Sequence, residues 1–389
     1  MLDVQRYVDT AYPPTQTFNV DSLEPSGVLK ERLEIINQVS PDFFMGKRLL
    51  DVGCSKGFFS LYASKRGMEV IGLDRDPSAI EICKCLSRKH NLDVNFVCSS
   101  FRDFIAYEPF DRIFLGNIAH HLFLSVKGWD WIGKLASYSN EYVLIEGAKD
   151  TCCRDMKELI PKNLHGEFNK FMNEMSKFFD LIRIVPSVSY TPDRYVMLFK
   201  RKPIPKFQFS NLQRVKTIKK GDFWIFKVKL GWFKAGVAKT IYKPMRNPML
   251  RIRMASASPV SNGLIGEIFK DDKYAGWMEK YERGKPYRYF ENEHELFKRF
   301  CEHQIFLSKN GYVDMDCATI NFFKGSNKLF DKSQVYPIRD ITERQIRNFM
   351  INLNQSFKTI TETMKKKMML AFQSRNSKII QKVFEEIKK

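Results

Sequence analysis

The chain has 389 residues, 44% hydrophobic and 14% aromatic, with a formal net charge of +20. That length exceeds one ordinary domain, that composition excludes a disordered tail, and no apolar run reaches the ~20 residues a membrane-spanning helix needs. The charged start MLDVQRYVDT does not read as a secretory signal, so a cytoplasmic protein is expected, with attachment to the inner face of a membrane left open by the charge. Eight cysteines are present. Their spacings, such as Cys83-Lys-Cys85 and Cys152-Cys153, do not suit a zinc or redox CxxC site, so reduced thiols and no structural metal are expected.

The charge is uneven. Residues 1–202 carry 27 Lys and Arg against 26 Asp and Glu, whereas residues 203–389 carry 37 against 18. The second half should therefore meet an anion: a nucleotide, a nucleic acid, a charged glycan or an anionic membrane.

In chain order, residues 1–25 read as an N-terminal lid segment and residues 26–40 as a helix. From there β-rich runs alternate with amphipathic stretches, the pattern of a parallel sheet with crossover helices. The runs are KRLLDVG, EVIGLDRD, DVNFVCSS, FDRIFLGN and EYVLIEG, and IRIVPSV with RYVMLFKRK closes the set as an edge hairpin. KRKPIPKFQ, with two prolines, reads as a linker, and a second domain starts near Pro203. That domain opens with strands and ends in helices. Its last helix is expected to face a core with Ile346, Phe349, Leu353, Phe357, Ile360 and Met364.

The turn after the first strand, LLDVGCSKGFFS, lacks the G-x-G-x-x-G spacing of a dinucleotide site, and Phe58 stands where the third glycine should be. Asp51 would repel a pyrophosphate and attract a cation. The residues fit D-x-G-x-S-x-G instead, through Asp51, Gly53, Ser55 and Gly57. Asp74 ends the second strand, where an acid accepts both ribose hydroxyls. Phe101 offers an apolar wall for an adenine, Asp103 a partner for its amino group, and Asn117 ends the fourth strand. His120 and His121 are the candidate bases; being adjacent, at most one is expected to face the site. Glu146 is a weaker candidate for acceptor binding.

Residues 26–202 resemble the class I methyltransferases dependent on S-adenosylmethionine (SAM), in motif order and in strand pattern. The resemblance implies a Rossmann-like α/β sheet with helices on both faces, SAM as cofactor, and Asp51, Gly53, Ser55, Gly57, Asp74, Phe101, Asp103 and Asn117 around it. Ser55 and Ser100 depart from the commoner glycine and acid. The Asn/Asp-Pro-Pro-aromatic motif of enzymes that methylate amino groups of nucleic-acid bases is absent from NIAH, which leaves glycans, small molecules and RNA ribose as acceptors.

Residues 203–389 resemble an α+β kinase-like domain. In VDMDCATIN, Asp316 falls where such enzymes have their catalytic-loop aspartate and Asn321 where they have a metal-binding asparagine, with Asp340 in the place of the metal-binding aspartate. ATP and Mg²⁺ are the implied ligands. Lys239 and Lys243 are the two candidates for the phosphate-pairing lysine, and no glutamate between Lys239 and Glu267 offers that lysine a partner. A glycine loop is hinted at by Gly231 and Gly236. The domain order resembles the bifunctional bacterial enzymes that phosphorylate and methylate the end of O-antigen polysaccharides, which implies a glycan or phosphoglycan acceptor. The competing reading is an RNA methyltransferase whose basic half tracks phosphates and stacks bases on Trp224, Phe226 and Trp232. A third is a methyltransferase carrying a pseudokinase scaffold.

Overall fold

The computed structural model describes residues 4–10, 16–126, 128–148, 167–189, 194–212, 214–220, 223–229, 235–241, 248–261, 263–280, 292–316, 334–358 and 360–388. The chain divides into two compact units, residues 1–104 with 109–202, and residues 105–108 with 203–389.

In the first unit, helices α1 (Val4–Thr10) and α2 (Gly27–Val39) precede β1 (Arg48–Val52), α3 (Phe58–Ser64), β2 (Glu69–Asp74), α4 (Pro77–Lys89), β3 (Val94–Cys98) and β4 (Phe110–Gly116). Then come α5 (Ala119–Val126), α6 (Trp131–Tyr138), β5 (Ser139–Ala148), α7 (Glu167–Ser176), β6 (Phe179–Pro186) and β7 (Arg194–Arg201). The strands form one sheet in the order β3-β2-β1-β4-β5-β7-β6. Strands β1 to β5 pair in parallel, and β7 runs antiparallel between β5 and β6. This is the Rossmann-like sheet expected of the first half, with the closing hairpin at its edge. Helices α1 and α7 had no sequence signal that singled them out.

Local chemistry explains the register. Strand β1 is central and buried, so it reads Leu-Leu-Asp-Val with no polar alternation. Helix α4 starts where the Asp76 side chain accepts from the Ser78 N–H and Pro77 follows at the first position, and it ends on Arg88 and Lys89. Because the order reverses between β1 and β4, the carboxyl ends of β2, β1 and β4 open a crevice on one side of the sheet.

The second unit holds β8 (Lys206–Gln208), β9 (Arg214–Lys220), β10 (Phe223–Lys229), β11 (Ala235–Ile241), α8 (Pro248–Ser256), β12 (Leu264–Lys270) and β13 (Lys273–Lys280). Its remaining elements are α9 (Glu293–Lys309), β14 (Tyr312–Asp314), β15 (Val335–Pro337), α10 (Glu343–Ser356), α11 (Glu362–Gln373) and α12 (Ser377–Ile387). Strands β9-β10-β11-β13-β12 are antiparallel in that spatial order, with α8 between the third and fourth in sequence. The linker segment contributes as well, since Lys206–Gln208 pairs in parallel with β12.

The apolar stripe from Ile346 to Met364 is not one last helix. It spans α10 and α11, which break at Phe357, and α12 follows. The break has a local cause: the Thr361 side chain accepts from the Met364 N–H and starts a new helix. The stripe still faces a core, with Ile346, Phe349, Leu353, Phe357 and Ile360 buried together and Met364 packed against them.

Candidate active site

Strand β1 must turn at once into α3, and the turn is left-handed at three places: φ is 75° at Gly53, 49° at Ser55 and 80° at Gly57. A Cβ on Gly57 would stand 2.7 Å from the Cys83 sulfur, so glycine is required there twice over, by backbone and by space. The Gly53 and Cys54 N–H groups both donate to the Leu73 carbonyl, at 2.7 and 3.0 Å. That ties the turn to the end of β2. Asp74 comes next, and its carboxylate accepts from the Ser55 N–H at 2.8 Å and from the Asp76 N–H at 3.0 Å. The carboxylate is thereby fixed before a ligand arrives.

Gly53, Ser55 and Asp74 line a cavity of about 400 Å³, together with Phe101, Asn117, His120 and His121. Phe101 is buried at 4% exposure and supplies the apolar wall. Asn117 is left-handed at φ 60°, its Nδ2 donates to Ser189 Oγ at 3.1 Å, and its Oδ1 accepts from the Arg194 guanidinium. Arg32, Arg75, Arg102 and Arg194 also line the cavity. Four arginines thus share the wall with Asp74 and Asp76, and of the four Arg32 is paired with Glu146 and Arg194 bonded to Asn117.

Both histidines face the cavity, with ring centroids 4.2 Å apart, so the expectation that only one would do so is corrected. They open α5, where the first turn presents successive side chains around the chain's re-entry from β4. Burial first, then His121 and Arg194, pushes His120 down to about 3; burial and the nearby Arg75 and Arg194 lower His121 as well. The His120 Nδ1 is buried with no hydrogen-bond partner among the described residues.

Three other expectations change. Asp51 does not line the cavity: it is buried at 2% exposure and accepts from Ser60 Oγ at 2.6 Å. Burial pushes its carboxyl up to about 7 against the Ser60 hydrogen bond, with Asp74 adding to the rise. Asp103 is exposed and accepts from Ser100 Oγ at 2.7 Å, outside the lining; Ser99, Ser100 and Arg102 occupy that wall. Glu146 is fully buried and accepts from Arg32 at 2.5 Å and from Ser187 Oγ at 2.5 Å, and Ser189 Oγ donates to it too. Although burial pushes Glu146 up, these partners hold it below the usual carboxylate range. It shapes the cavity wall through Arg32 instead of meeting an acceptor.

In the second unit, Lys239 is buried on β11 and its Nζ lies 3.4 Å from Glu279 Oε1. The lysine thus has a carboxylate, from β13 and not from the helix between strands. Trp277 Nε1 donates to the same oxygen at 2.7 Å. Helix α8 carries arginines where a glutamate would stand, and Arg253 pairs with Glu267 at 2.6 Å. Asp316 Oδ1 accepts from Asn352 Nδ2 at 3.0 Å, and the Asp316 N–H donates to Asp314 Oδ1 at 2.9 Å. Asp340 is not on a strand: β15 ends at Pro337, and Asp340 closes a 3-10 turn, Ile338–Asp340. Lys243, Asn321 and Gly231 lie outside the described residues.

The methyltransferase-domain family matches residues 49–130, the stretch that runs from β1 through the glycine turn, Asp74, Phe101, Asn117 and both histidines. These residues form a methyltransferase domain. The ubiquinone biosynthesis O-methyltransferase of Nitrobacter winogradskyi is 31% identical over 86 residues, which is 22% of this chain and 33% of that protein. The corresponding protein of Coxiella burnetii (strain Dugway 5J108-111) is 33% identical over 84 residues, 20% of this chain and 36% of that protein. The chain thus spans about a third of the length of these relatives. Among solved structures, the bifunctional kinase-methyltransferase WbdD is 16% identical, covering 92% of this chain and 87% of that chain at a TM-score of 0.31. In the methyltransferase domain, sequence reasoning missed Tyr7, Gln16, Arg102 and Arg194 on the cavity wall. Their type is unremarkable and only the fold brings them together.

Proposed function

We propose that the first unit transfers a methyl group from SAM to an oxygen of an anionic acceptor, a glycan-linked phosphate in first place, and that the kinase-like second unit supplies that phosphate from Mg-ATP. One observation carries the first part: the Asp74 carboxylate, fixed by two backbone N–H groups, faces the same cavity as Arg102 and Arg194. A fixed acid at the end of β2 suits the ribose hydroxyls of SAM, and Phe101 suits its adenine. Bound there, SAM supplies a sulfonium methyl for in-line transfer. The arginines explain the acceptor. Arginines on the wall of a site that also holds a cationic donor favour an anion as the second ligand. Arg194, oriented by Asn117, holds that anion at the mouth of β4, and an oxygen that is already negative needs no base. The buried neutral His120 then acts as a hydrogen-bond partner at Nδ1. The O-methyl transfer named for the two relatives agrees with an oxygen acceptor.

For the second unit, the support is the strand order, the buried Lys239 on the third strand and Asp316 just after β14. A different acceptor is favoured by one fact, the 37 basic against 18 acidic residues of positions 203–389: RNA. Incubation with labelled SAM and labelled ATP against separate glycan and RNA pools decides between them. Both labels on glycan support the proposal; methyl label on RNA with no phosphate label replaces it.

A further inference from the structure

Lys56 lies inside the glycine turn, between the left-handed Ser55 and Gly57, yet its side chain is fully buried. A buried lysine is costly and needs a reason; burial lowers its affinity for a proton, and the nearby Asp9 partly restores it. Its Nζ donates to the Val8 carbonyl at 2.6 Å. Val8 is in the last turn of α1, where carbonyls have no helical partner and the helix end is negative, so an ammonium is favoured there on both counts. Helix α1 is fastened at a second place. Gln5 donates to the Phe18 carbonyl at 3.2 Å and accepts from the Val20 N–H at 2.9 Å, and the Phe18 ring lies 5.4 Å from that of Phe58, the residue after Gly57. The described residues between 4 and 20 therefore grip the cofactor turn on both sides of Gly57. Two of them, Tyr7 and Gln16, line the cavity alongside Ser55, Asp74 and Asp76. Lys56 itself is outside the lining.

We infer that Lys56 is a positioning residue that latches α1 over the nucleoside end of the SAM site, so that retention of the cofactor depends on a side chain that does not line the site. The inference rests on the reading of that cavity as a SAM site. Its logic is mechanical: Ser55 and Lys56 are neighbours, so the backbone that gives its N–H to Asp74 is the same backbone whose side chain holds Tyr7 in place through Val8. Loosening the latch should leave Asp74 and the turn intact and free the strap.

The test uses the full chain and S-adenosylhomocysteine (SAH), read by calorimetry for affinity, by stopped flow for release, and by hydrogen exchange over residues 4–10. The variants are Lys56→Met, Lys56→Arg and Gln5→Ala. Lys56→Met removes a charged hydrogen bond and should weaken SAH by about tenfold or more, through faster release with little change in association. Residues 4–10 should gain protection on SAH binding in the wild type and lose that gain in Lys56→Met. Lys56→Arg should recover part of both. Gln5→Ala, which loosens the strap from outside the turn, should move affinity in the same direction and keeps the test open if Lys56→Met fails to fold. Wild-type release rates and exchange in a folded Lys56→Met, or in Gln5→Ala if that variant alone folds, overturn the latch alone. A wild type that takes up no SAH overturns the SAM site and the latch together.

Discussion

Two aspartates 23 positions apart in the sequence, Asp51 and Asp74, have opposite duties. Asp74 faces the cavity with its carboxylate fixed by the Ser55 and Asp76 N–H groups, so Asp74→Ala should abolish SAH binding in calorimetry. Asp51 is buried against Ser60, so Asp51→Asn should change SAH affinity by no more than about threefold, since it removes no contact with the ligand. A tenfold loss in Asp51→Asn would return Asp51 to the cofactor. Asp51 should instead show itself in stability. Its carboxyl is raised to about 7, above the unfolded value, so between ~pH 4 and 7 the unfolded chain ionises this group while the folded chain does not. Ionisation of the unfolded state alone favours unfolding, so this group's contribution to stability falls as pH rises through that window and is level above it. Melting temperatures from pH 5 to 8 should decline less steeply in Asp51→Asn than in the wild type; parallel curves would show that Asp51 titrates normally.

Elements are held to the site by buried ion pairs, and here sequence and structure part company in an instructive way. The sheet and its glycine turn were legible because β1 to β5 announce themselves as short β-rich runs and Asp74 must follow the second. The role of Glu146 was not legible: its partner Arg32 is 114 positions away, and only the fold joins α2 to β5. The same holds for Arg194 and Asn117, and for Glu279, which no reading of the helix between strands could offer to Lys239. Local signals give elements, and pairings between distant elements need the three-dimensional arrangement. The Arg32–Glu146 pair is fully desolvated, with side-chain exposures of 1% and 0%, so removing one partner strands the other. Glu146→Gln should therefore destabilise the protein, with Arg32→Ala the more severe of the two because it also leaves Phe59 without the guanidinium 5.2 Å above its ring; a loss of about 3–5 kcal/mol in urea unfolding is expected for breaking such a pair. A loss below about 1 kcal/mol would place the pair among ordinary surface bridges.

At the scale of the whole molecule, the near-neutral first half and the basic second half imply a division of labour, with each half testable by the ligand it takes. A nucleotide-binding second unit should be stabilised by Mg-ATP, by about 2–3 kcal/mol at a hundredfold excess over the dissociation constant. Asp340→Asn should remove that shift, because a metal-binding carboxylate is needed to bring the phosphates in, whereas Asp316→Asn should keep the shift and lose phosphate transfer, because an aspartate that orients the acceptor hydroxyl acts only on chemistry. If the excess charge serves RNA instead, Mg-ATP should leave the melting temperature in place, and RNA affinity should fall steeply with salt, its slope counting the phosphates neutralised. A response to Mg-ATP that survives both substitutions would move the nucleotide away from Asp316 and Asp340 and leave Lys239, already paired with Glu279, as the feature to follow. Because Mg-ATP raises the melting temperature in one case and leaves it in place in the other, a single set of melting curves separates a kinase-like partner for the methyltransferase from a basic platform that merely holds its acceptor.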